Sequence, residues 1–214
     1  MENLELAAKE VGGLRLPPEL EPLEVAGKGS RSITFRANYR GAMLAMKVYR
    51  PDVIDNYRKK YDLNIAVFEM SRNRAFRNIP ELLPFAAKPV SVMGHDGRCS
   101  LLFLQEFIEA VPLKELAEKD KGLPDSVLEA GATIVRIAEQ NGLHDLDLFY
   151  KDVLLRKQSD IWLPVLHDFN LVPQHEHPSN PIMALAFKSG MRKKSQRDHR
   201  HLEQWRGYSE RCAR

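Results

Sequence analysis

Three aspartates in the middle of the chain have the type and spacing needed for metal-dependent chemistry. Asp147 and Asp152 lie five positions apart, and Asp168 follows after a stretch that begins with the apolar run 153–155. Carboxylate oxygens are the ligands that hard cations such as Mg²⁺ prefer. A further carboxylate can orient a hydroxyl group for attack. Acidic loops are often only solvated surface, so the neighbouring elements must decide between these interpretations.

The segment from Gly142 to Asn170 is similar to the catalytic segment of the protein kinase superfamily. In that family an H-R-D-L-x-x-x-x-N loop precedes a short hairpin and a D-F-G turn. The resemblance implies that Asp147 is the catalytic aspartate, which orients the acceptor hydroxyl. It also implies that Asp152, in place of the family's Asn, and Asp168 hold the metal ion.

The segment departs from the family pattern at two further positions. Asp145 stands where the family has His, and Asn170 replaces the Gly of the D-F-G turn. Asn tolerates a left-handed backbone better than most residues, so we expect the turn to persist. Reading Tyr150-Lys151-Asp152 as the H-R-D is the alternative register. It would displace the apolar run 153–155 from its place after the metal ligand, so we prefer Asp147.

A strand, a glycine-containing turn and a second strand are predicted upstream. Residues 23–26 read as a strand, and Ile33, Phe35 and Ala37 alternate with polar neighbours. A G-x-G pair alone is typical of an ordinary hairpin turn. The resemblance implies instead a phosphate-binding loop, whose candidate contacts are Gly27, Gly29, Ser30 and Ser32. Ser32 stands where the family has a third glycine.

Lys47 lies inside a third predicted strand, residues 43–49, with apolar neighbours on both sides. The strand resembles the family's V-A-I-K strand, which implies that Lys47 contacts the ATP phosphates and pairs with a helix glutamate. Glu69, on a helix predicted over residues 63–76, is the candidate partner. Two alternatives stay open: a Lys47 that lies on a solvated face, and a local pair between Glu69 and Arg72.

Two more strands complete a predicted set of five. They span residues 88–93 and 98–105, around a turn at 94–97. The following residues resemble the kinase hinge, which implies that backbone groups of Glu106 and Ile108 bind adenine. We expect residues 51–61 to form a loop or a frayed helix.

Helices are predicted in the second half of the chain. One spans residues 113–119, and a longer one is capped by Asp125 or Ser126 and ends at Asn141-Gly142. The stripe of this longer helix consists of Val127, Ala130, Ile134, Ile137 and Ala138. A basic helix over residues 192–211 carries Leu202 and Trp205 on one side. It is either a solvated helix packed on its neighbours or a docking surface for an anionic partner.

Together these elements predict an α+β chain with a two-lobed protein kinase-like fold. We expect an N-terminal arm at 1–22, as a short helix or an extended segment, a five-stranded N-lobe and hinge at 23–108, and a truncated helical C-lobe at 109–214. The short tail, with an R-K-x-x-x-R…W-x-R pattern from Arg192 to Arg206, is similar to compact bacterial kinase-like proteins. These include the PhoP-regulated network family, related to lipopolysaccharide core and Kdo kinases.

This resemblance implies an ATP- and Mg²⁺-dependent kinase. Three interpretations of its action stay open. The acceptor hydroxyl belongs to protein Ser or Thr, or it belongs to a sugar or lipopolysaccharide. In the third, the chain is a pseudokinase that binds partners and transfers nothing.

Composition excludes several other classes. The chain has 214 residues, 43% of them hydrophobic and 29% charged, and a net charge of +3, which does not itself indicate nucleic acid. Two cysteines, Cys99 and Cys212, form no disulfide framework and no metal-binding spacing. The N-terminus does not resemble a signal peptide, and no apolar run is long enough to span a membrane. We therefore expect a cytoplasmic protein.

Overall fold

The structure is a computed structural model that describes residues 4–94, 97 and 99–214. The chain folds into two compact units. The first unit contains the residues up to Arg74 together with Ala87–Ile108, and the second contains Ala75–Ala86 and Glu109–Arg214. No helix within the described part of the chain is long and apolar enough to cross a bilayer.

The first unit is built on a five-stranded antiparallel sheet. The strands are β1 (Leu20–Lys28), β2 (Ser32–Tyr39), β3 (Ala42–Tyr49), β4 (Pro89–Met93) and β5 (Leu102–Glu106), in the order β1-β2-β3-β5-β4. All five predicted strands are therefore present. The last begins later than expected, at Leu102. The N–H of Gly97 donates to the carbonyl of Gly94 at 3.2 Å, at the position of the predicted turn before β5. Two residues of that turn, His95 and Asp96, lie outside the described residues, as does Arg98 at the start of the predicted strand.

One face of this sheet is covered by the N-terminal helix α1 (Leu4–Glu10) and the residues after it. Ile33, Phe35 and Ala37 of β2 are fully buried, as their alternation predicts. Ala7 and Val11 pack against the same core, so part of the segment expected to be an arm contributes to the core. Glu10 forms ion pairs with Lys28 and Arg50 that join the helix to the sheet.

Residues 51–61, expected to be a loop or frayed helix, form the three-turn helix α2 (Pro51–Tyr61). Its signals are at its ends, since none of its residues is buried. Pro51 and Asp52 occupy the first turn, and three basic residues occupy the last turn. The backbone angle of proline suits a first turn, and acidic residues at the start and basic residues at the end interact favourably with the helix dipole. Asp62 ends the helix in a left-handed conformation, and its N–H donates to the carbonyl of Arg58. The next helix is α3 (Ile65–Arg77).

The second unit combines helices with a small sheet. It contains a 3₁₀ helix (Pro80–Phe85), β6 (Val111–Pro112), α4 (Leu113–Lys119), α5 (Asp125–Gln140), β7 (Leu154–Gln158), β8 (Ile161–Val165), α6 (Pro181–Lys188) and α7 (Gln196–Cys212). Strands β6, β7 and β8 form an antiparallel sheet in that order. The β7–β8 hairpin is the one predicted between Asp152 and Asp168.

Helix α5 is the centre of the second core. Val127, Ile134, Ile137 and Ala138 of its predicted stripe are buried, whereas Ala130 is only half-buried. The prediction of an Asp125 or Ser126 cap is wrong, because the helix begins at Asp125 after Pro124 and has no side-chain cap. Its end is as predicted: Asn141 is the C-cap, and Gly142 follows with a φ of 75°.

Helix α7 packs on α5 through its apolar side. Leu202 and Trp205 are buried there, and Trp205 belongs to the main core of the unit. This confirms the interpretation of a helix packed on its neighbours. The two helices approach closely at Gly131, where a Cβ atom would lie 2.6 Å from Cζ3 of Trp205.

Candidate functional site

Lys47 of β3 is buried in the first unit and forms an ion pair with Glu69 of α3. The side chains are almost inaccessible to water, with Lys47 2% and Glu69 1% exposed. The hydroxyl of Tyr49 donates to the second carboxylate oxygen of Glu69 at 2.5 Å. This arrangement excludes the alternative of a solvated Lys47 and agrees with the predicted pairing.

The register of the sheet explains how Lys47 reaches α3. Lys47 lies opposite Phe103 of β5 and Thr34 of β2. Its neighbours Met46 and Val48 point into the core beneath α1, so Lys47 projects from the other face. Residues 44–49 are all buried, whereas Met43 at the start of the strand is 40% exposed. A lysine inside a strand whose two faces are both buried can keep its charge only beside an acidic partner.

The predicted phosphate-binding turn is an exposed connection between β1 and β2. Gly27 belongs to β1 and follows a β-bulge, and the N–H of Gly29 donates to the carbonyl of Ser32 at 2.9 Å. Neither glycine has a left-handed backbone, and a Cβ atom at Gly27 would meet nothing within 4 Å. Ser30 lies exposed at the tip. The fold does not require glycine here, and a phosphate-binding role stays a prediction.

The predicted hinge follows β5. The N–H of Glu106 donates to the carbonyl of Lys88 at 2.8 Å, and a carboxylate oxygen of Glu106 accepts the N–H of Lys88 at 3.0 Å. The N–H group of Glu106 therefore serves the sheet in this structure. Ile108 is 9% exposed. An adenine-binding role for either residue stays a prediction.

The three aspartates lie in two regions of the second unit. Asp147 is in the loop after α5, whereas Asp152 and Asp168 flank the β7–β8 hairpin. Leu154 pairs with Val165, so Asp152 and Asp168 lie within two or three residues of the open end of the hairpin. Asp152 is exposed and Asp168 is half-buried. The sequence predicted this return of the chain.

The donor set suits a hard cation. Both hairpin aspartates offer carboxylate oxygens, and Mg²⁺ is usually held by one or two carboxylates together with water and substrate phosphates. No group of three or more His, Cys, Asp or Glu side chains within residues 4–94, 97 and 99–214 is arranged to hold a metal ion. A cation would thus depend on Asp152, Asp168 and oxygens from outside the chain.

Arg197, in the first turn of α7, binds two acidic residues of the loop. Its Nη1 contacts Oδ1 of Asp145 at 2.9 Å, and its Nη2 contacts Oδ1 of Asp147 at 3.0 Å. Both aspartates have left-handed backbone, with φ of 60° and 68°. Short polar side chains make that conformation tolerable, since they can hydrogen-bond locally.

Asp198, the next residue of α7, binds the backbone of the loop with its side chain. Its carboxylate accepts the N–H groups of Asp145 and Leu146, each at 2.7 Å. Burial raises the pKa of the Asp198 carboxyl to about 6, although these two N–H donors lower it. One turn further along, burial and the charge of Arg197 lower the pKa of His201 to about 4.

Two further contacts fix the same loop. The indole Nε1 of Trp205 donates to the carbonyl of Leu148 at 2.8 Å, next to Asp147. The second oxygen of Asp145 accepts the N–H of Gln174 at 2.8 Å, which binds the segment after Asp168 to the loop. Sequence reasoning gave Arg197 and Asp198 no role, although Arg197 lies in the basic tail pattern.

The turn after Asp168 differs from the expectation. Asn170 does not have a left-handed backbone, so the tolerance of Asn for that conformation is not used. Its side chain instead bonds within its own turn: the amide oxygen accepts the N–H of Val172 at 3.3 Å. Phe169, which lies between Asp168 and Asn170, is buried against Phe76 with ring centroids 5.5 Å apart.

Comparisons with known proteins give the fold its name. No model of a known protein family matches the chain, and no curated protein matches it. Among solved structures, the chain is similar to the crystal structure of the kinase domain of PknI from Mycobacterium tuberculosis, with a TM-score of 0.55 and 19% sequence identity. The match covers 86% of this chain and 71% of that one. The chain therefore has a protein kinase-like fold, with a first unit built on a five-stranded antiparallel sheet and a second unit that combines helices with a small sheet.

Proposed function

We propose that the chain is an ATP- and Mg²⁺-dependent phosphotransferase that acts on a hydroxyl acceptor, with protein Ser or Thr as the first candidate. The buried pair of Lys47 and Glu69 carries this proposal. Desolvation costs several kcal/mol per ion, so well-packed hydrophobic residues at these two positions would be at least as stable. A charge retained at this cost suggests a polyanionic ligand, because ionisable groups buried beside a charged partner concentrate at functional sites.

The proposed roles are divided between the units. In the first unit, Glu69 and Tyr49 fix the Lys47 ammonium so that it can bind phosphate oxygens, and the backbone from Gly27 to Ser32 approaches the phosphates. Bound Mg²⁺–ATP supplies the transferable phosphoryl group, with part of its charge neutralised by the cation.

In the second unit, Asp168 and Asp152 hold the cation by their carboxylate oxygens. Asp147 orients the acceptor hydroxyl and accepts its proton. Asp198 and Trp205 hold the backbone on either side of Asp147, which supports a carboxylate placed for this step.

Transfer of labelled γ-phosphate from ATP tests the proposal. Wild type is incubated with Mg²⁺, labelled ATP and cell lysate, beside Asp147→Ala and Asp168→Ala. Asp160→Ala is the matched control, because Asp160 is an exposed aspartate in the turn of the same β7–β8 hairpin. Protein, lipid and small-molecule fractions are counted separately.

We expect label with wild type and Asp160→Ala and none with the other two variants. The labelled fraction then distinguishes a protein acceptor from a sugar or lipopolysaccharide acceptor. Absence of label, with ATP binding that is lost in Lys47→Met, would replace the kinase by a pseudokinase. Failure of wild type to bind ATP would refute both.

A peripheral contact with an anionic surface is a further part of the proposal. Arg206 and Arg211 of α7 are exposed, while the apolar side of the helix is buried on α5. Such a contact would be electrostatic, so binding to anionic vesicles should disappear at high salt and in Arg206→Glu/Arg211→Glu. We place the reaction in the cytoplasm, because two cysteines, Cys99 and Cys212, provide no disulfide framework of the kind that secreted proteins use.

A further inference from the structure

The guanidinium of Arg197 bridges two aspartates of the loop, Asp145 and Asp147. Each terminal nitrogen of the guanidinium binds a different carboxylate, at 2.9 Å to Asp145 and 3.0 Å to Asp147. A guanidinium is planar and rigid, so two such bonds fix both the distance and the angle between their acceptors. A lysine could not reproduce this, because its ammonium is a single point of charge.

The two carboxylates differ in how firmly they are held. The side chain of Asp145 is 2% exposed, and its other oxygen accepts the N–H of Gln174. The side chain of Asp147 is 18% exposed. Arg197 thus connects a partly exposed carboxylate to one that is fixed inside the unit.

Arg197 is itself held in place by its helix. Its neighbour Asp198 is buried and accepts two backbone N–H groups from the loop, and Trp205 is buried on α5. The start of α7 therefore cannot move relative to the loop without breaking these bonds. The guanidinium reaches Asp147 from a rigid element, which is the condition for orienting a reactive group within a fraction of an ångström.

We propose that Arg197 is the positioning residue for Asp147. It sets the direction in which the Asp147 carboxylate faces the acceptor hydroxyl, and it acts through Asp147 rather than on ATP. This inference rests on the proposed phosphotransferase function.

Steady-state kinetics of four proteins test the inference: wild type, Arg197→Ala, Arg197→Lys and Arg200→Ala. Arg200 is the matched control, since it lies one turn further along α7 and is exposed. The turnover number kcat and the KM for ATP are measured with the acceptor fraction that wild type labels. Rates are divided by the folded fraction, obtained from thermal melting of each protein.

We expect kcat of Arg197→Ala to fall by about 10- to 100-fold, since a misplacement of about 1 Å has effects of that size. The KM for ATP should stay within about twofold, and Arg197→Lys should recover part of kcat. A merely structural role would reduce the folded fraction and leave kcat per folded molecule unchanged.

Two results would overturn the inference. If wild type transfers phosphate and Arg197→Ala keeps its kcat per folded molecule, Arg197 does not position Asp147, and the phosphotransferase function stands. If wild type transfers no phosphate to any fraction, the proposed function and the inference both fail.

Discussion

Replacing Gly131 of α5 by alanine should destabilise the second unit, although alanine is the better helix former. A Cβ atom at this position would lie 2.6 Å from Cζ3 of Trp205 and 2.9 Å from Cδ2 of Leu202. Carbon atoms in contact prefer about 3.5 to 4.0 Å, so the ring has to move by about 1 Å. Trp205 is rigid and fully buried, which leaves no flexible side chain to absorb the change.

The size of the effect follows from three contributions. An added methyl group in a well-packed core costs about 1–3 kcal/mol. The displaced ring weakens the bond from its Nε1 to the carbonyl of Leu148, for a loss of about 1 kcal/mol. Alanine recovers about 1 kcal/mol of helix propensity. We expect Gly131→Ala to lower the free energy of unfolding by about 1–3 kcal/mol.

Gly207 provides the matched control. It is also inside a helix, α7, but a Cβ atom there would meet nothing within 4 Å. Gly207→Ala should therefore raise the free energy of unfolding by up to about 1 kcal/mol. Urea unfolding followed by circular dichroism measures both variants. A Gly131→Ala protein as stable as Gly207→Ala would refute the close packing of α5 on α7.

Three further perturbations have signs that the structure determines. Glu69→Gln leaves the buried Lys47 charge without its carboxylate and should cost about 3–5 kcal/mol in urea unfolding, whereas the double variant Glu69→Leu/Lys47→Met should recover stability and still lose ATP binding. Gly94→Ala should destabilise the first unit strongly in the same assay, because Gly94 has a φ of 81° and a Cβ atom would lie 2.1 Å from a backbone oxygen. In His201→Gln, the effect of Asp198 on the pH dependence of stability is no longer offset by that of His201. As pH falls from 6.5 to 4, the free energy of unfolding of this variant should increase by about 3 kcal/mol relative to wild type. Asp198→Asn should show the opposite change. Equal pH profiles in wild type and both variants would exclude this assignment.

The signs of the pH effects come from which state binds the proton. Folded Asp198 has a pKa near 6 instead of its usual 3.8, so it holds a proton in this window that the unfolded chain has released, and its contribution to stability is lost as pH rises. Folded His201 has a pKa near 4 instead of 6.5, so only the unfolded chain is protonated, and its contribution is lost as pH falls. In wild type the two nearly cancel.

Local patterns predicted most of the first unit and the hairpin of the second. Alternation located β2, and the resemblance of the Lys47 strand to the V-A-I-K strand indicated the pairing with Glu69. The sequence left residues 51–61 open between a loop and a frayed helix, because apolar periodicity was the criterion and α2 buries no residue. Its stability depends on its end residues, which a periodic pattern does not report.

Single-residue substitutions from the family pattern were harder to interpret. Asn170 was expected to reproduce the backbone of a glycine, but its amide makes a turn that does not need a left-handed conformation. Similarly, Asp125 and Ser126 were good caps by residue type, yet the helix begins at Asp125 itself. Residue type limits which local geometries are possible, and packing selects among them.

Asp145 and Arg197 form an ion pair in which each residue depends on the other. A carboxylate as buried as that of Asp145 needs a cation or several donors, because an unpaired buried charge is too costly to keep. The cation that Asp145 binds, Arg197, comes from a helix 52 positions later in the chain. Since the same guanidinium also binds Asp147, a substitution of either Asp145 or Arg197 should disturb Asp147. Where the family has His, this chain has an acid, and the basic tail supplies the matching charge.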